Sequence, residues 1–150
     1  MYHTIVKRII AQGFANVSSG NYEALLRQCV PDVVHNFAGE HALGGVRHDK
    51  TALNEWFHRV GRLLPNFNLE ITDMVVKGMP WNTTAVVQWT GRSPLVNGKN
   101  YVQHGVHFLS LKWGKVHAFR IYVDTQELAH TLEGLAQFGV AEAAAEPIRS

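Results

Sequence analysis

Blocks of like charge are missing from this chain: its 14 Lys and Arg and 12 Asp and Glu are scattered and leave a formal net charge of +2. A protein that tracks a phosphate backbone gathers its cations on one face or in one run, so nucleic acid is not an expected partner. Cysteine is almost absent. Cys29 stands alone, which excludes an internal disulfide, and its register with Leu25 and Leu26 reads as a buried, inert thiol in a reducing compartment. Long apolar runs are lacking too. Lys7 and Arg8 interrupt MYHTIVKRIIAQGF, and no stretch reaches membrane-spanning length, so the expectation is a cytoplasmic protein with no membrane partner. The Gly-rich AGEHALGG has neither the Lys nor the Ser/Thr of a phosphate loop, and no Ser sits in a G-x-S-x-G elbow. Nine histidines invite a metal, yet His104 and His107 have opposite strand parity, and His35 and His41 have no carboxylate at ligand spacing. No metal site is expected.

What is present is core. At 150 residues and 46% hydrophobic, the chain fits one domain, with its body over about 4–138 and a frayed tail over 140–150. Ile5, Ile9, Ile10, Phe14 and Val17 recur at helical spacing; after the SSGN break, Tyr22, Leu25, Leu26, Cys29 and Val30 mark a second helix stopped by Pro31. A short strand is expected near 33–37. A third helix follows from Asp49, with Leu53, Trp56, Phe57, Val60 and Leu64 on one side, and ends before Pro65. Beyond Pro65 the period falls to two, through 67–71, 84–90, 101–111 and 116–123, with Asn97-Gly98 and Trp113-Gly114 as two-residue hairpin turns. A last helix runs from Thr125 to about Phe138. Helices followed by a meander is α+β organisation.

Two stretches carry a resemblance: SGNYEALLRQCVPDVVHNFAGEHALGGVRHDKTALNEWF (19–57) and WGKVHAFRIYVD (113–124). Together they resemble the SnoaL-like branch of the nuclear transport factor two superfamily over about residues 4–130. That resemblance implies a cone-shaped, curved antiparallel sheet closed by N-terminal helices around an apolar pocket, often in a homodimer. It also implies one of three functions: a cofactor-independent enzyme that moves protons in cyclisation, isomerisation or dehydration of a hydrophobic, ring-containing ligand; a non-catalytic carrier or interaction module; or, third, a limonene-type epoxide hydrolase. No cofactor is implied. Where relatives place an acid this chain has Ile121, and the pocket aspartate of ketosteroid isomerases falls near Phe108.

Strand parity then sorts side chains. With Trp113-Gly114 as the turn, Phe108 faces Phe119, Val106 faces Ile121 and His104 faces Val123, and Asn97-Gly98 sets Trp89 opposite Val106. The pocket face therefore carries His104, Val106, Phe108, Phe119, Ile121 and Trp89, with Trp56 completing an aromatic wall. His107, Arg120, Tyr122 and Asp124 fall outside, as a rim or dimer face, and Asp124 doubles as a helix cap. His104 is the expected acid or base, because imidazole exchanges protons near neutrality. His35 or Asn36, one of which must point inward, would hydrogen-bond a developing oxyanion. A one-residue slip would exchange His104 with His107.

Overall fold

The computed structural model describes residues 1–150. Helix α1 (Tyr2–Ser19) buries Val6, Ile10, Phe14 and Asn16; its seam passes through Val6 rather than Ile5, which is about half exposed. Gly20 ends it in the left-handed region (φ 76°), and the Asn21 side chain caps α2 (Tyr22–Arg27) by accepting the Ala24 N–H. The second helix is shorter than its apolar spacing suggests. Strand β1 (Cys29–Phe37) begins two residues before Pro31, so Cys29 and Val30 belong to a strand. A three-residue strand, β2 (Gly45–Arg47), lies where only a loop is expected, and α3 (Lys50–Leu63) starts at an Asp49 cap that accepts the Ala52 N–H at 2.8 Å. The meander comprises β3 (Asn68–Met79), β4 (Asn82–Pro94), β5 (Asn100–Lys112) and β6 (Lys115–Val123). Helix α4 (Thr125–Phe138) follows at once, with the Asp124 carboxylate accepting the Glu127 N–H.

The six strands lie in the order β2-β1-β6-β5-β4-β3, a curved, unclosed sheet with the N-terminal helices against it. It is mixed rather than wholly antiparallel, because β1 runs parallel to β6. A parallel neighbour needs a long crossover, and everything between β1 and β6 supplies it.

Two irregularities decide which way side chains point. At the β5–β6 tip, Trp113 (φ 52°) and Gly114 (φ 76°) make the tight turn, with Lys112 opposite Lys115 and Leu111 opposite Val116. Both central residues of such a turn need positive φ, an unusual demand on Trp, whose ring stays exposed against that of Trp81. One step later Ser110 pairs with Ala118, leaving His117 as an extra residue on β6. Two residues then oppose one, a β-bulge, and the parity of β5 relative to β6 reverses beyond it. Asn97-Gly98, by contrast, is not a two-residue turn. The β4–β5 loop spans Leu95 to Lys99, closed by the Leu95 N–H donating to the Lys99 carbonyl at 2.8 Å, and Trp89 pairs with Gly105 instead of Val106.

The inner face of β5 is consequently Tyr101, Gln103, Gly105, His107, Leu109 and Leu111. His104, Val106 and Phe108, expected inside, are on the other side. The β6 assignment stands, with Phe119 and Ile121 inward and Arg120 and Tyr122 outward, where Phe108 lies beneath the Arg120 guanidinium (5.7 Å) and beside Tyr122.

The expected frayed tail is laid against the body. Residues Ala141–Ala144 form a 3-10 turn whose Glu142 bridges Arg59 (3.3 Å) and Arg62 (2.7 Å), and the Ile148 carbonyl accepts from Arg47 at 2.6 Å. No helix is long and apolar enough to cross a membrane.

Candidate functional site

Between the inner face of the sheet and helices α1, α2 and α3 lies a cavity of about 90 Å³, lined by 27 residues of which 22 are hydrophobic. None of the 27 is Asp, Glu, Lys or Arg. An apolar cavity of roughly 150 Å³ is enough to take benzene, so this one accommodates at most one small ring before the helices move outward. Gln28, at the end of α2, is the one lining residue that is exposed.

His107 faces the cavity from the middle of β5, among the rings of Phe14 (4.9 Å), Trp89 (5.7 Å) and Phe119 (6.5 Å). Its Nδ1 accepts the Trp89 Nε1–H at 2.7 Å. Indole nitrogen only donates, so Nδ1 is unprotonated and the proton of the neutral ring sits on Nε2. Burial, with no acid nearby to offset it, pushes the imidazole pKa down to about 3. The residue lines the cavity and keeps part of its surface accessible. Trp89 is placed by what is missing around it: a Cβ on Gly105 would lie 2.2 Å from the indole, and one on Gly91 3.0 Å. Two glycines let the indole lie flat on the backbone and aim its N–H at His107.

His35 is wired in the same way. It is 1% exposed, and its Nδ1 accepts the Arg47 Nε–H at 3.0 Å, which again leaves the proton on Nε2. That Nε2 has no partner and is enclosed by aromatic rings, Trp56 nearest at 4.4 Å. Burial first, and then the Arg47 charge, hold the His35 pKa well below its ordinary value. Arg47 is fully buried, with Trp56 at 5.4 Å, and its other N–H groups go to the carbonyls of Gly44 (3.0 Å), Gly45 (2.9 Å) and Ile148. Desolvation lowers its pKa to about 10, so it remains a cation at neutral pH.

The other polar groups are mostly occupied. Gln103 donates to the Tyr101 hydroxyl (2.6 Å) and the Asp124 carbonyl (3.0 Å) and accepts from the His104 and Asp124 N–H groups, which clips β5 to the start of α4. Trp56 donates to the Leu43 carbonyl at 2.8 Å. Of the residues singled out from sequence, His35, Trp56, Trp89, Phe119 and Ile121 line the cavity together. His104 does not. It is exposed, with Nδ1 3.2 Å from the Thr90 hydroxyl, and Asn36 is exposed on the outer side of β1. Val106 and Phe108 are also absent from the lining, and Trp81 stands in solvent. Sequence reasoning placed His107 outside, with a one-residue slip as the way in, and missed Gln103, Tyr101 and Phe14; the signal that could have found them is Gly105, a gap suited to the indole of the next strand. No three His, Cys, Asp or Glu side chains are close enough to share a metal ion.

A helix-backed, curved sheet around an apolar cavity defines a nuclear transport factor two-like protein. Residues 10–119 match the profile of the SnoaL-like domain, and the chain belongs to that family. Among solved structures, PrhC from Penicillium brasilianum is similar at TM-score 0.78 and 15% identity, over 92% of each chain. A nuclear transport factor two-like protein of unknown function from Burkholderia pseudomallei is similar at 0.74 and 19%, covering 84% of this chain and 95% of its own. SalBIII, an epoxide hydrolase/cyclase-like enzyme in pyran ring formation in the polyether salinomycin, is similar at 0.70 and 16%, over 83% and 95%. No curated protein matches the sequence significantly.

Proposed function

We propose that the chain binds a hydrophobic, ring-containing small molecule in the cavity and promotes proton transfer at a carbon activated by a carbonyl or phenol oxygen, with His107 facing that oxygen. One observation carries this reading: a cavity lined by apolar side chains in which His107 opens an N–H at mid-strand. A neutral donor fixed in a dry site stabilises charge as it develops on oxygen. Of cyclisation, isomerisation and dehydration, cyclisation asks least of the protein, since the ligand brings its own nucleophile and the cavity only folds and polarises it. SalBIII, with its role in pyran ring formation, shares the fold and supports this choice. The outer sheet face around Phe108, Arg120 and Tyr122 is proposed as the contact of a homodimer.

A second reading, a carrier with no turnover, is supported by the absence of any carboxylate in the lining. Epoxide hydrolysis is disfavoured on the same ground. Native mass spectrometry of freshly purified protein, followed by chemical comparison of any retained ligand before and after incubation, tests both. A changed ligand supports the enzyme and an unchanged one the carrier. If there is turnover, its rate is expected to be level between pH 5 and 8, because His107 is already neutral above about 3. An ionisation near 6.5 would assign the chemistry to another histidine.

A further inference from the structure

We infer that the cavity selects an uncharged ring compound carrying a carbonyl or comparable acceptor oxygen, and that this oxygen receives the His107 Nε2–H, held in that tautomer by the Trp89 Nε1–H. The inference deepens the small-molecule reading above and rests on it. Its basis is an inventory of donors and acceptors. Trp89 can only donate, so the 2.7 Å bond fixes the His107 proton on Nε2, which is not among the enclosed, unpartnered atoms. Gln103, whose carbonyl oxygen would be the natural acceptor for a ligand hydroxyl or amine, has both ends engaged. The Trp56 N–H is likewise taken, and the Tyr101 hydroxyl, which accepts from Gln103, still has its own hydrogen to give. The buried hydrogens still open to a ligand are those of His107 and Tyr101, and the side-chain acceptor left beside them is the second lone pair of the Tyr101 phenol, a weak one. A ligand that brought only a donor would leave two N–H or O–H groups facing each other, and a charged ligand would find no counter-charge in the lining.

Acetophenone and isopropenylbenzene, the same shape with C=O exchanged for C=CH2, are the probes. Titration by NMR into wild-type protein and His107→Phe, which keeps a ring but loses the donor, should show the ketone's advantage over the alkene falling roughly tenfold in the variant, the worth of about one hydrogen bond. An unchanged advantage would overturn the inference while leaving the cavity as a ligand site. Should the variant not fold, imidazole 15N spectra of wild-type protein decide alone. The expected result is an Nε2–H tautomer for His107 from pH 5 to 8, with the Nε2 signal moved by acetophenone and not by isopropenylbenzene. An Nδ1–H tautomer, or equal response to both probes, contradicts it. If neither probe binds although the tautomer is as expected, the small-molecule reading itself fails and takes this inference with it.

Discussion

His107 and His35 are two versions of one device, a buried imidazole whose Nδ1 accepts from a group that can only donate. They differ in what surrounds the other nitrogen and in the charge of the donor. His107 takes its hydrogen from a neutral indole and turns Nε2 to the cavity; His35 takes it from a guanidinium and has Nε2 sealed behind Trp56, Phe57 and Phe119. A fixed proton is useful to a ligand only where the ligand can reach it, so the first ring is a reader of ligand oxygen. The second is a joint. Through Arg47 it ties β1 to the Gly44-Gly45 corner and to the Ile148 carbonyl of the tail.

The largest effect should come from breaking the joint. Arg47→Met removes a buried cation of similar length and strands the His35 Nδ1 and three carbonyls, each a buried group left without its donor. A loss of about 3 kcal/mol or more is expected in the unfolding free energy from urea titration, since each buried acceptor left without its donor costs about 1–3 kcal/mol. A loss below about 1 kcal/mol would mean that the tail and corner hold without it.

Acid should act on both rings together. In the unfolded chain each imidazole titrates near 6.5; in the folded protein His107 titrates near 3 and His35 is also displaced downward. The unfolded state then binds more protons across that interval. Stability is complete above about 6.5 and falls as pH drops toward 3. Between pH 7 and 5 His107 alone should account for about 2 kcal/mol, with a further loss in the same direction from His35. Urea unfolding at the two pH values checks this, and His107→Gln should flatten the profile in part.

Much of the frame was legible and the site only half so, for physical reasons. Asp49 before an apolar helical stripe, Asp124 before α4 and Pro65 after α3 are local signals, and local hydrogen bonds obey them. A bulge leaves no such mark. His117 is the unpaired residue, and nothing at that position sets it apart, since β5 is mixed on both faces, with Val106 and Phe108 on one and Leu109 and Leu111 on the other. Period-two reasoning could not choose between them, and the choice it made moved His107 out of the cavity and His104 in. The tail escaped for another reason: AEAAAEPIRS has the composition of a loose end, but Glu142 finds Arg59 and Arg62 some 80 residues away in sequence.

The cavity side of the comparison can be broken without touching either histidine. In Gly105→Ala the new methyl would meet the Trp89 indole at 2.2 Å, and the indole must shift. Overpacking of this kind costs about 1 kcal/mol or somewhat more, a smaller loss than for Arg47→Met. The His107 15N signals should show the sharper consequence, a mixture of tautomers once the Trp89 N–H no longer reaches Nδ1. Unchanged signals would show that the indole is not what fixes the proton.

The smallest effect should belong to His104, one residue before Gly105. It is exposed, touches the Thr90 hydroxyl and lies on the opposite side of β5 from the cavity. A surface substitution of this sort changes stability by less than about 0.5 kcal/mol, and His104→Ala should leave the binding of acetophenone as it is in the wild type. The result would separate two neighbours that differ in sequence only by the side of a strand they occupy. Were His104→Ala to abolish ketone binding while the His107 tautomer stayed intact, the pairing across β5 and β6 would have to be without its bulge, and the ligand would be read from the other face of the sheet.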